Sequence, residues 1–304
     1  MDTRVAVLDL GTNTFHLLIA DIAAGTPQIL YTGTIAVKLG EGGITDGTIS
    51  HEACRRGLGA LSEFRKQIDY HQVTRITGVA TSAIRSASNG ADFLARVKSG
   101  TGIEVKTIDG EQEALLIYEG VRNAFRLEQN NLIIDIGGGS VEFIICSSDK
   151  IHFKQSYPIG AARLMDQFHH SDPITIHDIS RLTAYLDSTL YELKQQLEIH
   201  RPTVIVGAAG AFETFAVFQE PGFKASFSKP GFDFDYRQFG SIIDMIINSS
   251  HAERTNMPQI IPVRVDMIVV AAILISYILE ISGIKVLKLS TYSVKEGILF
   301  GMLK

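Results

Sequence analysis

The sequence predicts an α/β protein whose two equivalent domains face each other across a cleft. Three observations support this prediction. The chain has 304 residues, which is long for one hydrophobic core and enough for two domains of ordinary size. Segments that favour strands alternate along the chain with segments of helical periodicity. A glycine turn between two apolar runs occurs twice, 126 positions apart.

Composition narrows the class of protein. A hydrophobic fraction of 45% with 20% charged residues is typical of a folded soluble protein. The net charge of -5 argues against nucleic acid as a partner. The two cysteines, Cys54 and Cys146, are too few for a disulfide framework or a zinc cluster. The N-terminus runs straight into a strand rather than a signal peptide, and the apolar run 267–279 is too short to span a bilayer. We therefore expect a cytoplasmic protein without membrane contact.

The second glycine turn lies within residues 132–146, which read LIIDIGGGSVEFIIC. Two β-favouring runs around a glycine turn predict a hairpin. Three glycines without Cβ atoms let backbone amides approach a ligand closely, and an amide-lined concavity favours phosphate. Asp135 and Glu142 enter and leave the turn with oxygen donors suited to Mg²⁺. The lysine and helix of a P-loop are absent here, and a tight hairpin with no ligand is the alternative interpretation.

The first glycine turn repeats this pattern in residues 5–20, VAVLDLGTNTFHLLIA. At one constant offset, Asp9 aligns with Asp135, Gly11 with Gly137 and Thr14 with Ser140. An acid, a glycine and a hydroxyl at fixed spacing indicate an internal duplication, with chance matching as the alternative. Each domain would then contribute one phosphate-binding turn to a shared cleft.

The other elements follow from periodicity and from turn residues. Strands are expected at 28–36, 74–80, 103–107, 151–156, 203–207 and 285–289. Helices are expected from position 51, around 91–98, and at 111–127, 177–197, 236–247, 267–279 and 296–304. We interpret 219–235 as a surface excursion and 249–262 as a polar link. Domain I is assigned to 1–124, to which a C-terminal helix at about 294–304 returns, and domain II to 125–293.

Four further residues are candidates on their local pattern alone. Arg85 follows a predicted strand, where its guanidinium fork can hold phosphate oxygens, although such an arginine taken alone is more often a solvated surface charge. Asp109 and Gln112 have capping-box spacing, which puts Glu113 in the first turn of a helix. There the helix dipole favours an ionised carboxylate, as a general base requires, although acids at such positions often serve stability alone. Gly207 and Gly210 stand between a strand and a helix as a third candidate contact to phosphate or nucleotide.

The paired turns resemble those of actin, sugar kinases and heat-shock ATPases, in which two RNase-H-like domains clamp a phosphate chain and its metal ion. Within that superfamily the chain is similar to the exopolyphosphatase and guanosine pentaphosphate phosphatase (Ppx/GppA) family. The matching motifs run the length of the chain in the order DLGTNTFHLLIAD, ATSAIRSASN, GEQEA, DIGGGSVE, PIGAAR, PVRVD and YSVKEGIL.

The resemblance implies a homodimeric hydrolase that removes terminal phosphate from inorganic polyphosphate or guanosine pentaphosphate with Mg²⁺, or alternatively Mn²⁺. It implies Glu113 as the general base, with Asp9, Asp135 and Glu142 as metal ligands. The implied phosphate contacts are Gly11, Thr12, Asn13, Thr14, Arg85, Gly137, Gly138, Gly139 and Ser140. A non-catalytic sensor of nucleotide or polyphosphate and a small-molecule kinase are the alternatives.

The sequence departs from the family pattern at several points. Lys38 stands where an arginine is expected, and Val141 replaces the usual threonine. Ala211 replaces a common hydroxyl residue, which weakens the case for a nucleotide contact at the third turn. The chain ends soon after the two domains, without the extra helical domain that longer members use to grip polyphosphate. The resemblance therefore does not imply processive degradation.

Overall fold

The computed structural model of the chain describes residues 4–22, 25–127, 130–224 and 226–303. The strands in these ranges are β1 Arg4–Leu10, β2 Thr14–Asp21, β3 Gln28–Ala36, β4 Arg75–Ala80, β5 Val105–Thr107, β6 Asn131–Ile136, β7 Val141–Cys146, β8 Ile151–Tyr157, β9 Val204–Ala208, β10 Gly231–Asp233 and β11 Val286–Ser290. The helices are α1 His51–Tyr70, α2 Ser82–Ser86, α3 Gly90–Thr101, α4 Gly110–Ala124, α5 Ala161–Phe168, α6 Ile176–Thr189, α7 Tyr191–His200, α8 Gly210–Gln219, α9 Tyr236–Asn248, α10 His251–Thr255, α11 Ile268–Ser282 and α12 Val294–Gly301.

The strands form two sheets of the same topology. The first has the order β3-β2-β1-β4-β5, and the second has the order β10-β11-β9-β6-β7-β8. In each sheet a hairpin is extended on one side by a third antiparallel strand, β3 or β8. On its other side two parallel strands follow, β4 and β5 in the first sheet and β9 and β11 in the second. This is the RNase-H-like order, with β10 added at one edge. The predicted fold of two such domains is confirmed.

The duplication extends to the register of the two hairpins. Asp9 lies opposite His16 in the first hairpin, and Asp135 lies opposite Glu142 in the second. Both second strands also carry a register shift against the third strand at the same aligned position, between Ile19 and Ala20 and between Ile145 and Cys146. A bulge bends and twists a strand locally, so both hairpins have the same curvature as well as the same pairing.

Helices α4 and α12 lie between the two sheets. Their apolar side chains form one core cluster with the facing sides of β1, β2, β6, β7 and β9. Helix α12 packs against β1 and β2, while α4 packs against β7 and β8. A Cβ atom on Gly297 would lie 2.0 Å from the Leu116 carbonyl oxygen, so the two helix backbones are in contact. The domain boundary at 124/125 stays a prediction, and Lys304, the end of the predicted last helix, lies outside the described residues.

Three segments differ from the sequence-based expectation. The helix predicted at 177–197 is two helices that meet at Leu190, whose side chain is buried. The apolar stripe continues through Leu190 into both helices, so periodicity alone does not reveal the break. The segment 219–235 is not a simple surface excursion, because Phe223 and Phe234 are buried and β10 pairs with β11. The polar link at 249–262 contains α10, whose buried Arg254 donates to the Val265 carbonyl oxygen.

Helix α11 is buried on nearly all sides, as expected for its apolar sequence. In the described part of the chain, no helix combines the length and apolar character that a membrane span requires.

Candidate active site

The two glycine turns lie at the carboxyl ends of β1 and β6, each the first strand of its own hairpin. The parallel strands β4 and β9 end beside them and lead into α2 and α8. In open α/β sheets, ligands bind in the crevice outside the carboxyl ends of the strands. The predicted residues on both turns are therefore brought to one place.

The two turns are in direct contact. A Cβ atom on Gly138 would lie 2.4 Å from Asn13 Nδ2. A Cβ atom on Gly139 would lie 2.6 Å from Ser82 Oγ and 2.9 Å from Thr12 Oγ1. Side chains of the first turn and of α2 thus occupy the space that glycine leaves open in the second turn.

The two turns are also alike in which of their backbone groups form hydrogen bonds. In the first turn, the Leu39 amide donates to the Thr12 carbonyl oxygen at 2.7 Å. In the second turn, the Ala161 and Ala162 amides donate to the carbonyl oxygens of Gly137 and Gly138, both at 2.9 Å. Within the described ranges, no backbone carbonyl accepts from the amides at positions 12, 13, 138 and 139. Unused amides at a turn are what an anion-binding site offers.

Arg85, in the helix whose Ser82 meets the second turn, forms an ion pair with Glu113. Arg85 Nη1 donates to Glu113 Oε2 at 2.8 Å and to the Ile108 carbonyl oxygen at 3.0 Å. Asp109 and Gln112 form the predicted capping box, which places Glu113 in the first turn of α4 with 7% of its surface exposed. The sequence indicated a phosphate-binding arginine and a general base separately, and the structure joins them.

Burial raises the pKa of Glu113, while the hydrogen bond and the charge of Arg85 lower it, and the net direction is upward. Burial therefore opposes the expected effect of the helix dipole on Glu113, and the net pKa shift favours the protonated form. Desolvation of a nearly buried carboxylate outweighs its favourable partners.

The predicted metal ligands are a set of repelling carboxylates. Burial raises the pKa of Asp9 and of Asp135 to about 7, and the charge of Glu113 adds to both shifts. Glu142 is 1% exposed, and burial with the charges of Glu113 and Asp135 raises its pKa well above the usual range. Ser156 Oγ donates to Glu142 Oε1 at 2.6 Å.

These carboxylates fit a divalent cation by their chemistry, because hard oxygen donors that repel one another gain from a shared positive charge. Among the residues that the structure describes, no three acidic, histidine or cysteine side chains are already grouped to hold a metal ion. Mg²⁺ commonly binds through one or two carboxylates together with water and substrate phosphates. Such a site can therefore be completed by the substrate.

Three residues at the start of α12, namely its N-cap Ser293 together with Lys295 and Glu296, were not identified as site residues from sequence. Ser293 Oγ donates to Asp135 Oδ2 and also caps α12. Lys295 Nζ lies 3.0 Å from Glu296 Oε1, and its charge lowers the pKa of both Asp9 and Asp135. The motif YSVKEGIL was visible in the sequence, but nothing local in it indicates contact with an acid 158 positions away.

His16 has a different environment from the acids. Burial and the charges of Lys295 and Arg264 lower its pKa to about 3, which keeps the ring neutral. Its ring nitrogens lie 2.9 Å from Thr14 Oγ1 and 3.0 Å from Thr34 Oγ1.

The third turn, between β9 and α8, is more crowded than the other two. A Cβ atom on Gly207 would lie 2.0 Å from the Phe212 ring, so packing requires glycine there. Gly210 has a φ of +53° and begins α8. Glu213, in the first turn of α8, pairs with Arg264 at 2.8 Å, and its charge raises the pKa of Asp135. A phosphate or nucleotide contact at Gly207 and Gly210 stays a prediction.

Comparisons with known proteins agree on one family. The profile of the Ppx/GppA phosphatase family matches residues 18–304. A crystal structure of an exopolyphosphatase from Cytophaga hutchinsonii is similar over 99% of this chain and 97% of its own, with 40% identity and a TM-score of 0.95. A Ppx/GppA family member from Aquifex aeolicus covers 99% of this chain and 97% of its own, with 29% identity and a TM-score of 0.82.

A sequence relative points the same way. Exopolyphosphatase 1 of Mycobacterium tuberculosis is 27% identical over 301 residues, which cover 97% of this chain and 87% of the relative. The chain belongs to the Ppx/GppA phosphatase family.

Proposed function

We propose that this member of the family is an exopolyphosphatase that hydrolyses the terminal phosphate of inorganic polyphosphate. The observation that carries the proposal is the Arg85–Glu113 pair, whose arginine lies in α2, the helix that also meets Gly139 of the second turn through Ser82. The relatives named as exopolyphosphatases favour polyphosphate as the substrate. Guanosine pentaphosphate is the second candidate, because it ends in the same phosphoanhydride.

The turns and Arg85 bind the terminal phosphate in this proposal. The amides at positions 12, 13, 138 and 139 donate to its oxygens, and the Arg85 fork adds charge-assisted donors. Phosphoryl transfer depends on positioning and charge stabilisation more than on covalent chemistry by the protein. Two turns that are already in contact supply donors in a fixed arrangement.

Glu113 is the general base. It accepts a proton from water as the water oxygen bonds to the terminal phosphorus, and the bridging P–O bond breaks. The shortened chain leaves with the bonding electron pair. A carboxylate with a raised pKa is a better proton acceptor than an exposed one, provided that it is ionised when the water attacks.

Asp9, Asp135 and Glu142 are proposed to hold Mg²⁺, with Mn²⁺ as an alternative ion. The ion would supply positive charge that offsets the charge developing on the phosphate oxygens. Without it, these acids repel an anionic substrate. Ser293 and Ser156 orient Asp135 and Glu142 through their hydroxyl hydrogen bonds.

The test is phosphate release in the presence of Mg²⁺, with long polyphosphate, short polyphosphate and guanosine pentaphosphate assayed side by side. We expect release from polyphosphate. Release from guanosine pentaphosphate alone would reassign the substrate. Tight binding without release would favour the sensor, and transfer to a sugar or acid acceptor would favour the kinase.

A cytoplasmic location and a homodimer are further parts of the proposal that follow from the family resemblance. Light scattering on the purified chain tests the second, and a monomeric mass at micromolar concentration would reject it.

A further inference from the structure

Arg163, the third residue of α5, bonds to three separate segments. Its Nε donates to the Gly139 carbonyl oxygen at 3.0 Å, Nη1 to the Ile44 carbonyl oxygen at 3.0 Å, and Nη2 to Ser86 Oγ at 3.1 Å. One rigid planar fork thus fixes the relative positions of three acceptors.

These acceptors belong to parts of the site that must act together. Gly139 is in the second glycine turn, and Ser86 follows Arg85 in α2. Arg163 therefore links the turn that is proposed to bind phosphate oxygens with the helix that carries the phosphate-binding arginine. Neither link is visible in the sequence, because Gly139 is 24 and Ser86 is 77 positions away.

The third acceptor lies in the loop between β3 and α1, residues 37–50, which crosses from the first half of the chain to the second. Ile44 is buried in the core of the second half. Thr45 Oγ1 donates to Asp166 Oδ2, one helical turn beyond Arg163, and Lys38 Nζ lies 3.2 Å from Asp266 Oδ2. Arg163 is thus part of a set of contacts that joins the two halves beside the site.

The charge on Arg163 is not needed for these three hydrogen bonds. All three acceptors are neutral, and no carboxylate in the described ranges forms an ion pair with its guanidinium. Arg85 lies near enough that its charge lowers the pKa of Arg163, after the larger effect of burial. In the described ranges Arg85 has an acid partner, Glu113, whereas the contacts of Arg163 are all to neutral acceptors.

We infer that Arg163 is a positioning residue for the proposed hydrolysis, holding the second glycine turn and Arg85 in register across the two halves. This role rests on the proposed function. Arg163 acts through its neighbours and does not touch the substrate. Misplacing a binding group by about 1 Å can cost about 100-fold in rate even far from the chemistry.

The test compares R163A and R163K with the matched control R181A. Arg181 lies in α6, in the same half of the chain, and its half-exposed side chain pairs with Asp178 at 3.5 Å. We expect R163A to lose about 100-fold in kcat/KM with short polyphosphate, mainly in kcat, while R181A behaves as wild type. R163K keeps the charge but not the fork, and should also lose most of its kcat. Added guanidinium ion should restore part of the R163A rate and none of the R163K rate.

Hydrogen exchange gives a readout that does not depend on activity. We expect R163A to speed amide exchange in both 137–140 and 82–86, whereas R181A changes neither. Wild-type kinetics in R163K, or loss of activity in R163A only in proportion to unfolded protein, would overturn the inference and leave the proposed function standing. A wild-type protein that releases no phosphate would overturn the proposed function, and this role with it.

Discussion

The two glycine turns share a backbone hydrogen bond but differ in the side chains that they carry. In both, the first glycine amide donates to the hydroxyl residue three positions later, Gly11 to the Thr14 carbonyl oxygen at 3.1 Å and Gly137 to the Ser140 carbonyl oxygen at 3.0 Å. The next two positions are Thr12 and Asn13 in the first turn but glycines in the second. Thr12 and Asn13 project into the space that those glycines leave open. The extra glycines thus let the halves dock, whatever they also contribute to ligand binding.

The two hairpins also differ in the titratable residue that lies opposite the aspartate of the first strand. Asp9 lies opposite a neutral histidine, whereas Asp135 lies opposite the buried Glu142. The second hairpin therefore concentrates carboxyl groups, while the first half of the chain supplies Arg85 and the hydroxyl groups of Thr12 and Ser82. The two hairpins share one backbone pairing, and their side chains differ between the halves.

The largest effect that separates the turns is expected from Gly139→Ala. Its Cβ would meet the side chains of Ser82 and Thr12 at 2.9 Å or less, which would push the halves apart. We expect kcat/KM for polyphosphate to fall about 100-fold. Gly59→Ala, in α1, is the matched control, since its new Cβ would meet nothing within 4 Å. This control should behave as wild type, and a Gly139→Ala enzyme no worse than Gly59→Ala would contradict the docking account.

A second, smaller effect concerns pH. Asp9 and Asp135 have a pKa of about 7 in the folded protein against 3.8 for the ordinary group, so folding favours their protonated forms. Their contribution to stability is complete at low pH and is lost as the pH rises through about 7. Metal-free protein should therefore show a Tm that falls between pH 5 and pH 8, and less steeply in Asp135→Asn.

Addition of Mg²⁺ is the complementary measurement for these carboxylates. A cation that displaces protons should raise the Tm more at pH 8 than at pH 5. Equal pH slopes in wild type and Asp135→Asn, measured by thermal unfolding without metal, would contradict the assignment of these pKa shifts.

The smallest effect is expected at His16, whose place in the first hairpin corresponds to that of Glu142 in the second. The pKa of His16 is about 3 in the folded protein and 6.5 for the ordinary group. Between these two pH values the unfolded chain binds a proton that the folded protein does not bind. Stability from this group is complete above about 6.5 and is lost as the pH falls toward 3. His16→Gln should flatten the loss of Tm between pH 6 and pH 4, and an unchanged slope would indicate that His16 is protonated in the folded protein.

Much of the fold could be predicted from the sequence, because short-range patterns determine the hairpins and the start of α4. Alternating apolar runs around a glycine turn define each hairpin, and the Asp109–Gln112 spacing defines the start of α4. The constant offset between the turns predicted two domains of one topology. Each hairpin pattern and the capping box span fewer than about 20 residues, and the offset is a comparison of two such patterns.

The rest depends on contacts between distant parts of the chain. Ser293 bonds to Asp135 across 158 positions, and Arg163 reaches Ile44 across 119. The pairing of Arg85 with Glu113 changes the electrostatics of the proposed base, which no pattern around either residue indicates. The break between α6 and α7 at Leu190 could not be predicted from local sequence, because the apolar pattern is the same on both sides of it.

The central claim is that Glu113 is the base at the contact of the two turns, and Glu113→Gln tests it most directly. The amide keeps the shape but cannot take the proton, and Arg85 is released from its acid partner. Phosphate release from polyphosphate should fall about 1,000-fold, while polyphosphate affinity, measured by calorimetry with Mg²⁺, stays the same or increases. Weakened binding with normal turnover would contradict the account.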